Sequence, residues 1–183
     1  MKGRDLPNLI TLSRILLVAP MGVLLFRQWD RAALTLFALA GLSDALDGAL
    51  AKRYGWTSRI GALLDPLADK LLLVCAYGVL GWLEVVPRWL VALVVARDLT
   101  IVAGAVAYHF RFGPFDPAPS PVSKWNTTAQ IVLVLAVLFD RGVYPLAGGW
   151  IETFMAMVLV TTVASWADYL WVWGRRGWQE ARR

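Results

Sequence analysis

Four aspartates carry the clearest chemical signal in the chain. They lie in DALDGALAK (residues 44–52) and, after eight further residues, in GALLDPLADK (residues 61–70). On a helix, Asp44 and Asp47 at i, i+3 share one face, as do Asp65 and Asp69 at i, i+4 on the next. The short connection makes the two helices antiparallel neighbours, so the acidic faces converge about two turns below a membrane surface and four carboxylates meet in one pocket. A lone Asp near a helix end reads as a cap; four at this spacing, each among apolar residues, do not. Each carboxylate near a bilayer centre costs ~2.5–3.5 kcal/mol on insertion scales, and four together also repel. Nearby Lys and Arg are too few to pair them all. An oxygen-only cluster suits hard divalent cations, Mg²⁺ or Mn²⁺ where phosphates complete the shell. Two such ions, about 4 Å apart, would clamp a diphosphate and stabilise charge on the attacking and leaving oxygens. Gly41, Gly48 and Gly61 permit close helix packing, and Gly48, directly after Asp47, also leaves room for a ligand ring.

The elements that must position these groups are membrane helices. Of 183 residues, 58% are hydrophobic and only 17% charged, and the mean hydropathy is +0.58. Soluble domains reach about 45–50% apolar residues. Ten Trp sit mostly near the ends of apolar runs, as an interfacial belt requires. Apolar runs predict six helices, at 8–26, 32–53, 60–83, 87–111, 123–139 and 148–173, forming one all-α transmembrane domain over 1–183. With no room for a soluble catalytic module, the chemistry must be built on the helices. Lys2, Arg4, Lys52, Arg53, Arg59, Arg111, Lys124, Arg175, Arg176, Arg182 and Arg183 lie on the side of the termini, against Arg27, Arg31, Arg88 and Arg141 opposite. That bias predicts both termini, and the active site, on the cytoplasmic side. Arg14 and Pro20 interrupt the first apolar run, so it reads as a retained helix rather than a cleaved signal. The net charge of +5 sits beside apolar segments, which points to anionic lipid and not to nucleic acid. Cys75 is a lone core cysteine.

The aspartate segments fit the pattern D-x-x-D-G-x-x-A-R-x8-G-x3-D-x3-D, through Asp44, Asp47, Gly48, Ala51, Gly61, Asp65 and Asp69. In this the chain resembles the CDP-alcohol phosphotransferase family, and the six-span layout and length extend the resemblance over nearly the whole chain. Lys52 stands where the family usually has Arg, and Lys lacks the bidentate fork for a phosphate. The resemblance implies transfer of a phosphatidyl group from CDP-diacylglycerol to an alcohol, with release of CMP. It also implies that Asp44, Asp47, Asp65 and Asp69 hold two divalent cations, Mg²⁺ or Mn²⁺, and that Asp69 is the catalytic base. Gly48, Ala51 and Gly61 would line the cytidine site, and Asn8, Thr11 and Lys52 would complete the CDP-lipid site. A homodimer is implied as well; the short chain, with no targeting presequence evident, is expected in the inner, cytoplasmic membrane of a bacterium.

DPLADK, with Asn8, Thr11 and Arg14 in the opening run, resembles the branch that uses glycerol-type acceptors. Arg97-Asp98 and Ser123-Lys124-Trp-Asn126-Thr127 with Gln130 resemble the cardiolipin synthases more than the phosphatidylglycerophosphate synthases. The implied acceptor is then phosphatidylglycerol, with glycerol-3-phosphate as the alternative. Both carry a phosphate, and Arg97 and Lys124 are the candidates to hold it; for Arg97 an internal pair with Asp98 is the competing reading. His109 reads as interfacial, the Trp-rich sixth helix as an anchor, and Asp168 within it has no assigned role. Intramembrane carboxylates also mark cation or proton transporters. Here all four lie toward one face, no acidic relay crosses to the other, and no inverted repeat is visible. A non-enzymatic scaffold leaves the cost of four buried acids unexplained.

Overall fold

The computed structural model describes residues 6–54, 59–112 and 120–180, with side chains described chiefly over 13–43, 70–104 and 120–172. The described residues form six α-helices and no strand: α1 Leu6–Phe26, α2 Asp30–Tyr54, α3 Arg59–Trp82, α4 Arg88–Phe112, α5 Pro121–Gly142 and α6 Trp150–Glu180. The all-α expectation holds, and the predicted segments coincide with these helices. Two of them run further than hydropathy suggested, α5 through Asp140 and Arg141, α6 through the polar stretch to Glu180. Helix hydrogen bonding does not stop where the apolar run stops, and no proline interrupts either extension.

Even the shortest helix has 21 residues, about 32 Å at 1.5 Å per residue, enough for a hydrocarbon core of ~30 Å. Among the described residues, Pro121–Gly142 and Trp150–Val172 are both long and apolar enough to cross a membrane; Ser13–Phe26 and Lys70–Trp82 are apolar but shorter. Large apolar side chains face outward at helical spacing, including Leu39 and Leu42 on α2, Leu99 and Val102 on α4, and Val160 and Val163 on α6. Water would penalise such faces, whereas lipid would not. Exposed Trp29, Trp82, Trp89, Trp125 and Trp150 lie at or near helix ends, where an amphipathic ring meets the headgroups.

The chain divides into two compact units, Met1–Val85 with Val134–Ala147, and Val86–Leu133 with Gly148–Arg183. In the first, α1 packs against both α2 and α3. Met21 and Leu25 of α1, Ala33, Phe37 and Ala40 of α2, and Leu72, Ala76 and Leu80 of α3 are buried. Several of these are small, which lets the helix backbones approach closely. A Cβ on Gly22 would stand 3.1 Å from Cys75 Sγ. That thiol points at the Val18 carbonyl, 3.6 Å away, so Cys75 packs α3 onto α1 as its apolar setting suggested.

Both α1 and α3 end in the same turn. Trp29 N–H donates to Leu24 O and Gln28 N–H to Leu25 O, matched by Val85 to Leu80 and Glu84 to Gly81. This is the Schellman arrangement, whose left-handed position usually takes glycine; here Gln28 (φ 58°) and Glu84 (φ 59°) occupy it. Against the first of these turns lies the end of α5. A Cβ on Gly142 would meet Arg31 N at 2.8 Å and Asp30 C at 2.9 Å, both backbone atoms. In the second unit α4 packs against α6, where Tyr169 Oη donates to Ile101 O (3.1 Å) and covers Gly104. Ser120 Oγ accepts from Ser123 N–H (3.2 Å), capping α5 just before Pro121, which suits a first helical position.

Gly142→Ala should therefore lower stability by about 1–3 kcal/mol, the usual cost of overpacking against atoms that cannot turn aside. The unfolding midpoint in detergent checks this, and an unchanged midpoint would show that the α5 end and the α1–α2 turn move apart freely.

Candidate active site

The backbone places the predicted catalytic residues on three helices of one unit. Asn8 and Thr11 lie on α1, Asp44, Asp47, Gly48, Ala51 and Lys52 on α2, and Gly61, Asp65 and Asp69 on α3. Their side chains, and that of His109, lie outside the described residues. Helical register still relates them to the side chains that are described. At 100° per residue, the buried stripe of α2, Ala33, Phe37 and Ala40, continues through positions 44, 47 and 51. The buried stripe of α3, Leu72, Ala76 and Leu80, extends back through positions 69 and 65, with buried Ala68 between them. On α1 the buried positions Met21 and Leu25 share their stripe with Arg14, only 2% exposed. α1 packs on both α2 and α3, the two helices that carry the aspartate pairs.

Among the described residues, which leave out these four side chains, no group of three or more His, Cys, Asp or Glu comes together.

The second unit holds a different polar centre. Arg97 is 2% exposed and Asp98 7%. Arg97 Nη1 donates to Asp98 Oδ1 at 2.9 Å, while its Nη2 donates to Ser123 Oγ at 2.7 Å and to Ser165 Oγ. One guanidinium thus ties α4, α5 and α6 together, and its charge is balanced by its neighbour in sequence. A helical turn further along α5, Asn126 (0% exposed) accepts on Oδ1 from Thr161 Oγ1 (3.0 Å) and Thr162 Oγ1 (2.9 Å). Such bonds between helices replace the water that an apolar medium cannot supply. Arg97 Nε and Asn126 Nδ2 have no hydrogen-bond partner among the described residues. Lys124 is exposed, one residue beyond Ser123, so the two cations predicted for the acceptor differ in kind, one buried and paired, the other at the surface. Sequence reasoning missed Thr161, Thr162 and Ser165. Their signal was available as small hydroxyl residues at i, i+1 and i+4 in an apolar helix. Asp168 is half-buried on α6.

The CDP-alcohol phosphatidyltransferase model matches residues 4–169. The chain belongs to that family. A cardiolipin synthase (CMP-forming)/mitochondrial hydrolase fusion protein of Schizosaccharomyces pombe is 32% identical over 180 residues, 90% of this chain and 30% of that protein. A cardiolipin synthase (CMP-forming) of Rattus norvegicus is 35% identical over 149 residues, 73% of this chain and 49% of its own. A CDP-diacylglycerol–glycerol-3-phosphate 3-phosphatidyltransferase of Escherichia coli is 32% identical over 176 residues, covering 91% of this chain and 93% of its own. The chain thus spans about a third to a half of the first two relatives and nearly all of the third. The family match runs through both units and includes both aspartate segments.

The buried ion pair yields a stability prediction. Asp98→Asn leaves the Arg97 charge without its counter-ion and should cost about 3–5 kcal/mol, whereas Arg97→Met with Asp98→Leu should recover most of it. Unfolding midpoints of the three proteins in one detergent decide this; a single variant as stable as wild type would mean that the pair is solvated.

Proposed function

We propose that this chain transfers the phosphatidyl group of CDP-diacylglycerol to phosphatidylglycerol, giving cardiolipin and CMP. The observation that carries this reading is that Asp44, Asp47, Asp65 and Asp69 lie on the adjacent helices α2 and α3 in the spacing of the family motif, inside the matched region. In this reading the four carboxylates hold two divalent cations, Mg²⁺ or Mn²⁺, which when bound neutralise the diphosphate and the leaving CMP. Gly48, Ala51 and Gly61 leave space for the cytidine. Asn8 and Thr11 on α1 and Lys52 on α2 face the CDP-lipid, Lys52 as a point charge in place of a guanidinium fork. Asp69 accepts the proton of the acceptor hydroxyl. The freed oxygen then bonds to the β-phosphorus as the anhydride bond to CMP breaks, and the electron pair leaves with CMP. No covalent enzyme intermediate is required.

Phosphatidylglycerol as acceptor is supported by the Arg97-Asp98 and Ser123-Lys124 motifs and by the Schizosaccharomyces pombe and Rattus norvegicus relatives named as cardiolipin synthases. Lys124 meets the acceptor phosphate from the surface, while Arg97 fixes the end of α5 that presents Lys124. The Escherichia coli relative, matched over nearly its full length, favours a second reading with glycerol-3-phosphate as acceptor. The outward apolar faces and the terminal Trp residues fit a multi-pass protein of a bacterial cytoplasmic membrane, with both termini cytoplasmic. A homodimer is the proposed assembly.

CMP release from CDP-diacylglycerol by the purified protein with Mg²⁺ tests the reading, with each acceptor supplied in turn. Turnover with phosphatidylglycerol is expected, ceasing in excess EDTA and returning with added Mg²⁺. Turnover with glycerol-3-phosphate alone would move the assignment to the second reading, and turnover undiminished by EDTA would remove the metals. Asp69→Asn should lower kcat by about 10²–10⁴-fold, the range of general-base catalysis, with Mg²⁺-dependent CDP-lipid binding kept. Equal loss of binding would make Asp69 chiefly a ligand.

A further inference from the structure

Far along α2 from the aspartates, the α1–α2 turn and the end of α5 border an open cleft of about 350 Å³, lined by Gln28, Trp29, Asp30, Arg31, Arg141 and Gly142. All of it lies within the first unit. Along α2, Asp30 and Asp44 are 14 residues apart, about 21 Å at 1.5 Å per residue, so this cleft is separate from the aspartate positions. Of the four basic residues that the topology assigns to this face, Arg27, Arg31 and Arg141 gather here, on the side where Lys and Arg are normally scarce.

The arginines are held, not loose. Arg141 Nε donates to Asp30 Oδ2 (3.2 Å) and its Nη2 to Gln28 Oε1 (3.3 Å). Gln28 is the left-handed residue of the turn, so the strained position also orients a cation. Arg31 Nε donates to the Gly142 carbonyl. Among the described residues its two Nη groups meet no acceptor, and they remain available as a fork. Arg27 lies 5.6 Å from the Trp29 ring centroid. Against these three cations the cleft holds one acid, Asp30, already engaged by Arg141; nearby Asp140 accepts from Leu146 N–H (2.7 Å). A guanidinium fork facing an open cleft flanked by two further arginines is suited to a phosphate. Exposed Phe26, Trp29, Val143 and Tyr144 flank the same corner, supplying apolar surface for what carries the phosphate.

We propose that this corner is a binding site for the phosphate of an anionic phospholipid headgroup, on the face opposite the active site. The recognised chemistry is a phosphate oxygen pair, with Arg31 as its principal donor and Arg27 and Arg141 as flanking charges. Phosphatidylserine serves as the lipid probe because it is neither proposed acceptor.

Native mass spectrometry of the full-length protein, released from detergent with phosphatidylserine, phosphatidylcholine or inorganic phosphate, tests the site. Wild type is expected to retain phosphatidylserine at least fivefold better than phosphatidylcholine. Arg31→Gln should remove most of that preference with CMP release unchanged, while Arg31→Lys, a point charge without the fork, should recover only part of it. Should Arg31→Gln unfold, Arg27→Gln, outside the Asp30–Arg141 joint, gives the second reading, with about a threefold loss expected. Displacement by millimolar inorganic phosphate would show that the phosphate alone is read; retention against it assigns the lipid. Equal retention of the two lipids by wild type, or undiminished preference in folded Arg31→Gln and Arg27→Gln, would overturn the proposal.

Discussion

A charge inside an apolar bundle must be answered by another charge or by hydrogen bonds, and the layout of this protein follows from how each one is answered. Water pays the solvation of an aspartate at a soluble surface; between membrane helices nothing does unless the protein or a ligand provides it. The two units meet this requirement differently. In the second, Arg97 is matched by Asp98 and by the hydroxyls of Ser123 and Ser165, so the charge is spent on holding three helices. In the first, α2 and α3 carry four aspartates at i, i+3 and i, i+4 spacing, and in the function proposed above divalent cations answer their charge.

The same medium dictates how the helices touch. Lipid is as apolar as leucine, so burying a large side chain between helices gains little, and close approach of backbones gains more. Gly22 against Cys75, Gly104 beneath Tyr169 and Gly142 against the α1–α2 turn are the contacts where a side chain has been left out. Hydroxyl and amide pairs do the remaining work, as where Asn126 accepts from both Thr161 and Thr162. These contacts hold α3 on α1, the end of α5 on the start of α2, and α6 on both α4 and α5.

Two turns, at Gln28 and Glu84, accept left-handed backbone without glycine, at a cost of order 1 kcal/mol each. At Gln28 the side chain repays this by orienting Arg141. The turn and the end of α5 are thereby joined through Arg141, Asp30 and Gln28, with Arg31 bonded to the Gly142 carbonyl.

The sequence by itself determined the fold class, six helices and their approximate ends, because apolar length and turn residues act locally. It also determined the four aspartates and their family, since i, i+3 and i, i+4 spacing is a property of the chain alone. Tertiary structure decided what Arg97 does: neighbours distant in sequence, Ser123 and Ser165, take up its donors, and while the hydroxyl spacing of Thr161, Thr162 and Ser165 marks a polar stripe on α6, only packing shows which groups it meets. It decided as well that Arg27, Arg31 and Arg141 share a corner, since α5 returns to the α1–α2 turn through packing that spacing cannot encode. Local hydrogen bonding and hydropathy fix the elements; which faces of those elements meet depends on steric fit and charge compensation between residues more than a hundred positions apart.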